Sequence, residues 1–257
     1  MKKTLSVIFF ILVIFINYLA NALPIGGITT GEASALLDNL FTPAGFTFSI
    51  WGIIYLLLLI FIISVVTFSK YDSTLIDSVL TLFNINCILN ISWIFAWHYR
   101  LLPLSLIIMF ALLASLFLIV KKVKIYGQGS ENSYIISITK ISFNIYFGWI
   151  TVATVANFTA LMVYYNWNGF SISPEFWTFL IILISIVIAT ITFYTIRSNS
   201  YLFPIIWAYF GILSKYSPNI VEFDLLLIRY SLVFGMLFLS ILVLVQFISD
   251  FRKFKLS

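Results

Sequence analysis

The chain has little charge, one cysteine and one histidine. Only 9% of its 257 residues are charged, against roughly 25% in a soluble domain. The single cysteine, Cys87, excludes an intrachain disulfide and a metal site built from several cysteines. We interpret the single histidine, His98 beside Arg100, as an interfacial side chain rather than a haem ligand. No Ser/His/Asp set, glycine-rich phosphate loop or paired carboxylates within an apolar run appear, so we predict no catalytic residue and no metal site.

The sequence is rich in apolar and aromatic residues. Hydrophobic residues make up 62%, aromatic residues 19%, and the mean hydropathy is +1.12. These values predict an all-α integral membrane protein. Apolar runs predict eight spans, near residues 4–22, 45–68, 77–97, 101–124, 135–165, 175–196, 201–214 and 224–249. The seventh is short and contains Pro204. We assign residues 1–168 to a five-helix transmembrane domain and residues 169–257 to a three-helix transmembrane extension. The first span ends in Ala20-Asn21-Ala22, so a cleaved signal peptide stays open as an alternative to a retained helix.

The distribution of basic residues predicts the orientation. If eight spans alternate and the N-terminus is cytoplasmic, eleven of the fourteen Lys and Arg residues lie on the cytoplasmic side. The outer side then has Arg100, Lys215 and Arg229, and the loop at residues 24–42 has none. This asymmetry obeys the positive-inside rule and predicts that both termini are cytoplasmic. Because the basic residues lie in short loops and tails, the net charge of +5 does not indicate a nucleic-acid partner. We expect residence in a bacterial cytoplasmic membrane, with the lipid bilayer as a partner.

Three predicted helices have aromatic and amide side chains at helical spacing. Trp51 and Tyr55 are four residues apart and follow Pro43, which suits the first turn of a helix. The other two stripes are Asn86, Asn90, Trp93 and Trp97 on one helix, and Tyr146, Trp149, Ala153 and Asn157 on another. An unpaired amide in hydrocarbon costs several kcal/mol, so Asn90 and Asn157 should face the bundle interior.

These stripes admit two interpretations. Intramembrane asparagines often only join helices, and Trp97, near the end of its span, suits the interfacial belt. Trp51, Asn90, Trp93 and Asn157, however, should all lie roughly 3–10 Å above the midplane on the outer side, at 1.5 Å per residue. Three converging stripes, with the small residue Ala153 among aromatics, predict a ligand cavity beneath the outer loop.

The loop at residues 24–42 has helix-forming signals of its own. Thr29 and Glu32 have the spacing of a capping box, and we predict a short helix over residues 31–40. Leu36, Leu37 and Leu40 could then cover the cavity mouth as a lid. The segment is bounded by Gly26-Gly27 and Pro43, and the glycines permit the φ changes that a hinge needs. An ordinary interfacial helix is the alternative.

The stripe residues resemble motifs of the TspO/MBR (translocator protein, or tryptophan-rich sensory protein) family. Its second helix has a Pro, then a Trp and a Tyr, here Pro43, Trp51 and Tyr55. Its third helix has Leu-Asn-x-x-Trp, here Leu89, Asn90 and Trp93, and its fifth is matched by Tyr146, Trp149, Ala153 and Asn157. The resemblance covers residues 1–168, so three further helices would make this chain a long variant. Thr42, Val152 and Ala156 depart from the family pattern, and the first loop lacks the family's Trp.

The resemblance implies a five-helix bundle that binds porphyrins and apolar ligands in a cavity capped by the first loop. It implies that the nine residues Pro43, Trp51, Tyr55, Asn90, Trp93, Tyr146, Trp149, Ala153 and Asn157 contact the ligand. The leading hypothesis is a receptor or binding protein with a sensory or regulatory role, requiring no cofactor and taking a porphyrin, haem or apolar small molecule as ligand. A transporter and a porphyrin-degrading enzyme are the alternatives, and a homodimer stays open.

Overall fold

The structure, a computed structural model, describes residues 1–23, 25–68, 73–126, 133–216 and 223–256. These residues form helices and connecting turns, and no strand occurs among them. The α-helices are α1 (Lys2–Ala22), α2 (Thr30–Ala35), α3 (Ile50–Thr67), α4 (Ser73–His98), α5 (Leu102–Tyr126), α6 (Ser133–Tyr164), α7 (Pro174–Ile196), α8 (Asn199–Leu213) and α9 (Phe223–Leu256). Short 3-10 helices occupy Ile25–Gly27, Gly45–Ser49 and Gly169–Ser171.

The all-α membrane fold predicted from composition is confirmed. Seven of the described helices are long and apolar enough to cross a bilayer, and α8 is a shorter apolar helix of 15 residues. At 1.5 Å per residue, α8 measures about 22 Å, less than the ~30 Å hydrocarbon core. Residues 197–216, which include its flanking turns, would cover about 30 Å at the same rise per residue. The division at residue 168, the orientation of the termini and the bacterial membrane stay predictions.

The helices form a bundle with α5 and α6 at its centre. α4 packs on α5, α1 packs on α4, and α3 packs on α6. On another face α6 contacts α8, and α9 covers both α7 and α8. α6 and α8 approach closely at Gly148, where a Cβ would overlap the carbonyl oxygen of Tyr201. The last three predicted helices are therefore attached to the first five along α6.

Two local predictions in the first loop (here residues 25–49) were wrong. The predicted helix over residues 31–40 ends at Ala35, because Asn39 organises a competing turn. Its side chain accepts from the Phe41 N–H at 2.9 Å, and its own N–H donates to Thr42 Oγ1 at 3.2 Å. Pro43 does not lie in the first turn of a helix, since the following 3-10 helix begins at Gly45.

Candidate functional site

A small cavity lies under the first loop, between α3, α4, α5 and α6. Its volume is about 60 Å³, and its walls are almost entirely apolar. The loop contributes Thr30, Ser34, Leu37, Thr42 and Pro43, and the 3-10 helix before α3 contributes Phe48. The helices contribute Trp51, Trp93, Trp97, Met109, Trp149, Val152, Ala153, Ala156, Asn157 and Ala160. None of the described residues that line the cavity has a formal charge, which favours an uncharged occupant.

The structure brings most of the nine predicted site residues together. Six of them line the cavity: Pro43, Trp51, Trp93, Trp149, Ala153 and Asn157. Tyr55 lines a neighbouring groove that also contains Trp51 and Trp93. Asn90 and Tyr146 line neither space and are buried, at 1% and 2% exposure. Seven of the nine residues therefore line one of these two spaces and two lie deeper, while ligand contact by any of the nine stays a prediction.

Trp51 is the centre of the aromatic cluster. Its ring stacks on Tyr55 with centroids 5.4 Å apart, and it meets Tyr146 and Trp149 edge-on at 5.7 and 6.3 Å. Phe48 meets Trp149 edge-on from the loop side at 6.1 Å. Offset and edge-to-face pairs of this kind add about 0.5–1.5 kcal/mol each beyond area burial. These contacts stabilise the arrangement of the cavity wall that the structure shows.

The buried asparagines join helices. Asn90 donates to Tyr146 Oη at 3.1 Å and accepts from Asn17 of α1 at 2.9 Å. Asn157 donates to Ser105 Oγ of α5 at 3.1 Å. These pairs agree with the helix-packing interpretation, and ligand contact by the amides stays a prediction. Asn17 was missed, although an amide within an apolar first span was a usable signal.

Trp97 and His98 differ from their interpretation as interfacial residues. Trp97 is 7% exposed and lines the cavity, stacked on Trp93 with centroids 5.7 Å apart. Its spacing of four residues from Trp93 was the signal for a shared face. His98 is 3% exposed; its Nδ1 lies 2.7 Å from the Ile94 carbonyl oxygen and its Nε2 lies 3.4 Å from Thr30 Oγ1. The histidine therefore links α4 to the start of α2.

Three donor groups around the cavity are buried without a hydrogen-bond partner among the described residues. They are the indole N–H groups of Trp93 and Trp149 and the hydroxyl of Tyr55. The two indoles belong to side chains that line the cavity, only 8% and 3% exposed. Buried donors normally have acceptors. Among the described residues, no group of three His, Cys, Asp or Glu side chains could hold a metal ion.

Residues 3–245 match the family model described as TSPO-like protein. The chain belongs to the TSPO-like family. This membership confirms the resemblance seen in the three motifs and supports a membrane-embedded, ligand-binding role in general terms. The match extends through α7, α8 and most of α9, whereas the motifs indicated a resemblance only over residues 1–168. No curated protein and no solved structure matches the chain.

A groove between α1 and α3 lies beside the cavity of this TSPO-like protein. Its half nearer the first loop has a volume of about 720 Å³ and includes Asn17 and Asn21. Its other half, about 740 Å³, is lined by apolar residues of α1 and α3. The halves share Ile14, Tyr18 and Tyr55. The wall between the groove and the cavity is formed by the residues that line both, which are Thr30, Phe48, Trp51 and Trp93.

The first loop of the TSPO-like protein is attached to α8. Lys215 Nζ lies 2.7 Å from Asp38 Oδ1, and Tyr216 Oη donates to the Leu40 carbonyl oxygen at 2.7 Å. Further along, the Ala44 N–H donates to the Gly211 carbonyl oxygen at 3.0 Å, and Trp207 Nε1 donates to that of Thr47 at 2.9 Å. Burial, and then the carboxylate of Asp38, raise the pKa of Tyr216 above its ordinary value. Its phenol is therefore protonated and donates at neutral pH.

The start of the first loop has the predicted capping box. Glu32 N–H donates to Thr29 Oγ1 at 3.2 Å, and Thr29 N–H donates to the Glu32 carboxylate at 2.7 Å. These hydrogen bonds lower the pKa of the exposed Glu32 carboxyl. Gly26 and Gly27, with φ of 67° and 83°, adopt backbone conformations that favour glycine. Leu37 lines the cavity, but Leu36 is 57% exposed, so only part of the predicted leucine face covers the mouth.

Proposed function

We propose that this protein is a membrane receptor for an apolar ligand that has a hydrogen-bond acceptor, bound in the cavity under the first loop. The observation that carries the proposal concerns Trp93 and Trp149, which both line one apolar cavity: each has a buried indole N–H without a hydrogen-bond partner among the described residues. Leaving a buried donor unsatisfied costs about 1–3 kcal/mol. A ligand carbonyl or ether oxygen would accept from one or both indoles and remove that cost.

The aromatic walls select the rest of the ligand. Phe48 and Trp51 each meet Trp149 edge-on, and all three side chains line the cavity. Aromatic walls of this kind suit a flat, uncharged ring system. A tetrapyrrole could use the same aromatic walls. Since none of the described lining residues has a formal charge, its carboxylates would have to point out of the cavity.

The cavity is too small for a drug-sized ligand unless part of its wall moves. Pockets for drug-sized ligands measure roughly 300–1,000 Å³, whereas this cavity measures about 60 Å³. A ligand of that size therefore requires the loop or Trp51 to move. The adjoining α1–α3 groove, at about 720 Å³ beside Trp51, would supply the missing space if this ring turned aside.

Binding to purified protein tests the proposal. The probes are an aromatic amide, a hydrocarbon of the same shape without the carbonyl, and protoporphyrin. We expect the amide to bind better than the hydrocarbon, and Trp149→Phe or Trp93→Phe to reduce that preference by about tenfold, the value of roughly one buried hydrogen bond. Trp167→Phe, the same change at a half-exposed position outside the cavity, should leave the preference unchanged.

Two results would contradict the proposal. One is equal binding of amide and hydrocarbon to the unmodified protein. The other is an unchanged preference for the amide after both cavity substitutions together. Binding of protoporphyrin without binding of the amide would instead indicate that the ligand is a tetrapyrrole and not a compact aromatic molecule.

A further inference from the structure

A pocket at the opposite end of the bundle from the first loop has a concentration of positive charge. It lies between α5, α6 and the turn that joins α7 to α8, and its volume is about 170 Å³. Its polar lining residues are Lys124, Lys140, Asn144, Arg197 and Ser198. α5 contributes Met109 to the cavity and Lys124 to this basic pocket, 15 residues or about 22 Å further along the helix. The two sites are therefore separate.

Three cations share the basic pocket, and no carboxylate is among the described residues that line it. Lys2 pairs with Asp77 and Lys215 pairs with Asp38, and neither pair involves a cation of the basic pocket. Lys124 Nζ donates to the Thr195 carbonyl oxygen at 2.5 Å and so caps the end of α7. Like charges brought together raise the local potential and attract an anion.

Asn144 gives the basic pocket a buried acceptor. This residue is 3% exposed, and its Nδ2 donates to the Lys140 carbonyl oxygen at 2.7 Å. Its Oδ1 is buried without a partner among the described residues. An anion that also has a hydroxyl group would satisfy both the cations and this amide oxygen.

Arg197 occupies an unusual backbone position beside Asn144. It follows α7 with φ 50° and ψ 58°, and its N–H donates to the Phe193 carbonyl oxygen at 2.7 Å. Glycine or asparagine is usual in this left-handed position, because a larger side chain meets steric resistance there. Arg197 therefore adopts a backbone conformation that arginine disfavours, at a position where its guanidinium adds to the positive charge of the pocket.

The surroundings of the basic pocket indicate a lipid as the source of the anion. Exposed apolar side chains lie close to the pocket residues in sequence: Ile141 follows Lys140, and Tyr194 precedes Arg197 by three residues. Such side chains suit contact with acyl chains, while cations at the end of a span suit lipid phosphates.

We propose that the basic pocket binds the phosphate of an anionic phospholipid headgroup, with Lys140 and Arg197 as the ionic contacts and Asn144 accepting from a headgroup hydroxyl. The bound lipid would bridge α6, within residues 1–168, and the turn that begins α8. This proposal is independent of the cavity and its ligand.

Native mass spectrometry of the full chain in detergent tests the proposal, with phosphatidylglycerol and phosphatidylcholine of the same acyl chains as probes. We expect selective retention of phosphatidylglycerol. The double change Lys140→Gln and Arg197→Gln should lower that retention by about tenfold or more. The matched control is Lys121→Gln with Lys122→Gln, which removes the same charge from α5 at residues that do not line the pocket. The control should retain the lipid, as should the charge-preserving pair Lys140→Arg and Arg197→Lys.

Several results would overturn the proposal. Equal loss in the Gln double variant and its control would show a general charge effect. Equal retention of both lipids would assign the binding to acyl chains. If inorganic phosphate or glycerol phosphate raises the melting temperature as much as phosphatidylglycerol does, the occupant is a soluble anion. A Gln double variant that does not fold would leave the charge-preserving pair to decide, and loss of lipid from that folded pair would contradict an ionic site.

Discussion

On the α8 side of the bundle, neighbouring segments approach two glycines so closely that a larger residue would not fit without displacement, whereas on the α1 side a groove separates α1 from α3. A Cβ at Gly148 would overlap the Tyr201 carbonyl oxygen, and one at Gly211 would overlap the Thr47 side chain. Tyr201 and Tyr209 of α8 are fully buried. On the other side, α1 packs mainly on α4, and the two halves of the groove measure about 720 and 740 Å³.

The difference shows that the cavity has one closely packed side and one open side. Close packing means that α8 and the loop segment attached to it move only together. The open side has space beside Trp51 and a loop start positioned by the capping box and a long Thr30–His98 contact. We expect ligand exchange to depend on the α1 side and stability to depend on the α8 side.

The largest effect on stability should come from replacing a glycine by alanine on the closely packed side. Gly148→Ala should lower the free energy of unfolding by about 1–3 kcal/mol, because the new methyl group must push the α8 backbone away. Gly52→Ala, on the α3 wall of the groove, has open space around its Cβ and should cause no loss. Thermal unfolding in detergent measures both. Equal destabilisation by the two changes would remove the distinction between the sides.

The next effect should be on ligand affinity and on the rates of ligand association and release. Trp51→Ala and Trp149→Ala should each weaken binding of an apolar ligand by about 1–3 kcal/mol, the scale of a buried aromatic contact. Trp149 is 3% exposed, so its loss should act through faster release alone. Trp51 separates cavity and groove, so its loss should also speed association. Stopped-flow fluorescence resolves the two rates, and identical association rates in both variants would argue against entry past Trp51.

A smaller effect should follow loss of the cap at the start of the first loop. Thr29→Ala should cost about 0.5–2 kcal/mol of local helix stability and speed ligand release with little change in melting temperature. Because the pKa of Glu32 is lowered in the fold, its contribution is present at neutral pH and is lost as the pH falls through that pKa. Release from the unmodified protein should therefore quicken on acidification. A release rate that changes only together with the melting temperature would identify the loop as a plain connector.

The smallest effect is expected at the attachment of the loop to α8. Tyr216→Phe removes the hydrogen bond to the Leu40 carbonyl oxygen and should cost about 0.5–1.5 kcal/mol. Lys215→Gln removes an exposed ion pair with Asp38, which contributes at most about 1 kcal/mol. Both should lower the melting temperature more than they change ligand release. If Tyr216→Phe instead speeds release as much as Thr29→Ala, the attached half of the loop is also part of the lid.

Composition and helical period determined the fold class and the faces of three helices, because the 3.6-residue repeat and the cost of burying polar groups in lipid act within each segment. They were sufficient to place Trp51, Trp93, Trp149 and Asn157 near one space, and local hydrogen bonding was sufficient for the Thr29–Glu32 cap.

Only the tertiary structure decided the contacts between distant segments. Asn17 is hydrogen-bonded to Asn90, and Gly148 permits the close approach of the α8 backbone. The Trp207 indole donates to the Thr47 carbonyl oxygen, 160 residues away in the sequence. The end of α2 also depended on context, since the turn at Asn39 competes with helix propensity and the loop is held by Lys215 and Tyr216. Such contacts have no period along the chain, so they follow from packing geometry rather than from any one segment.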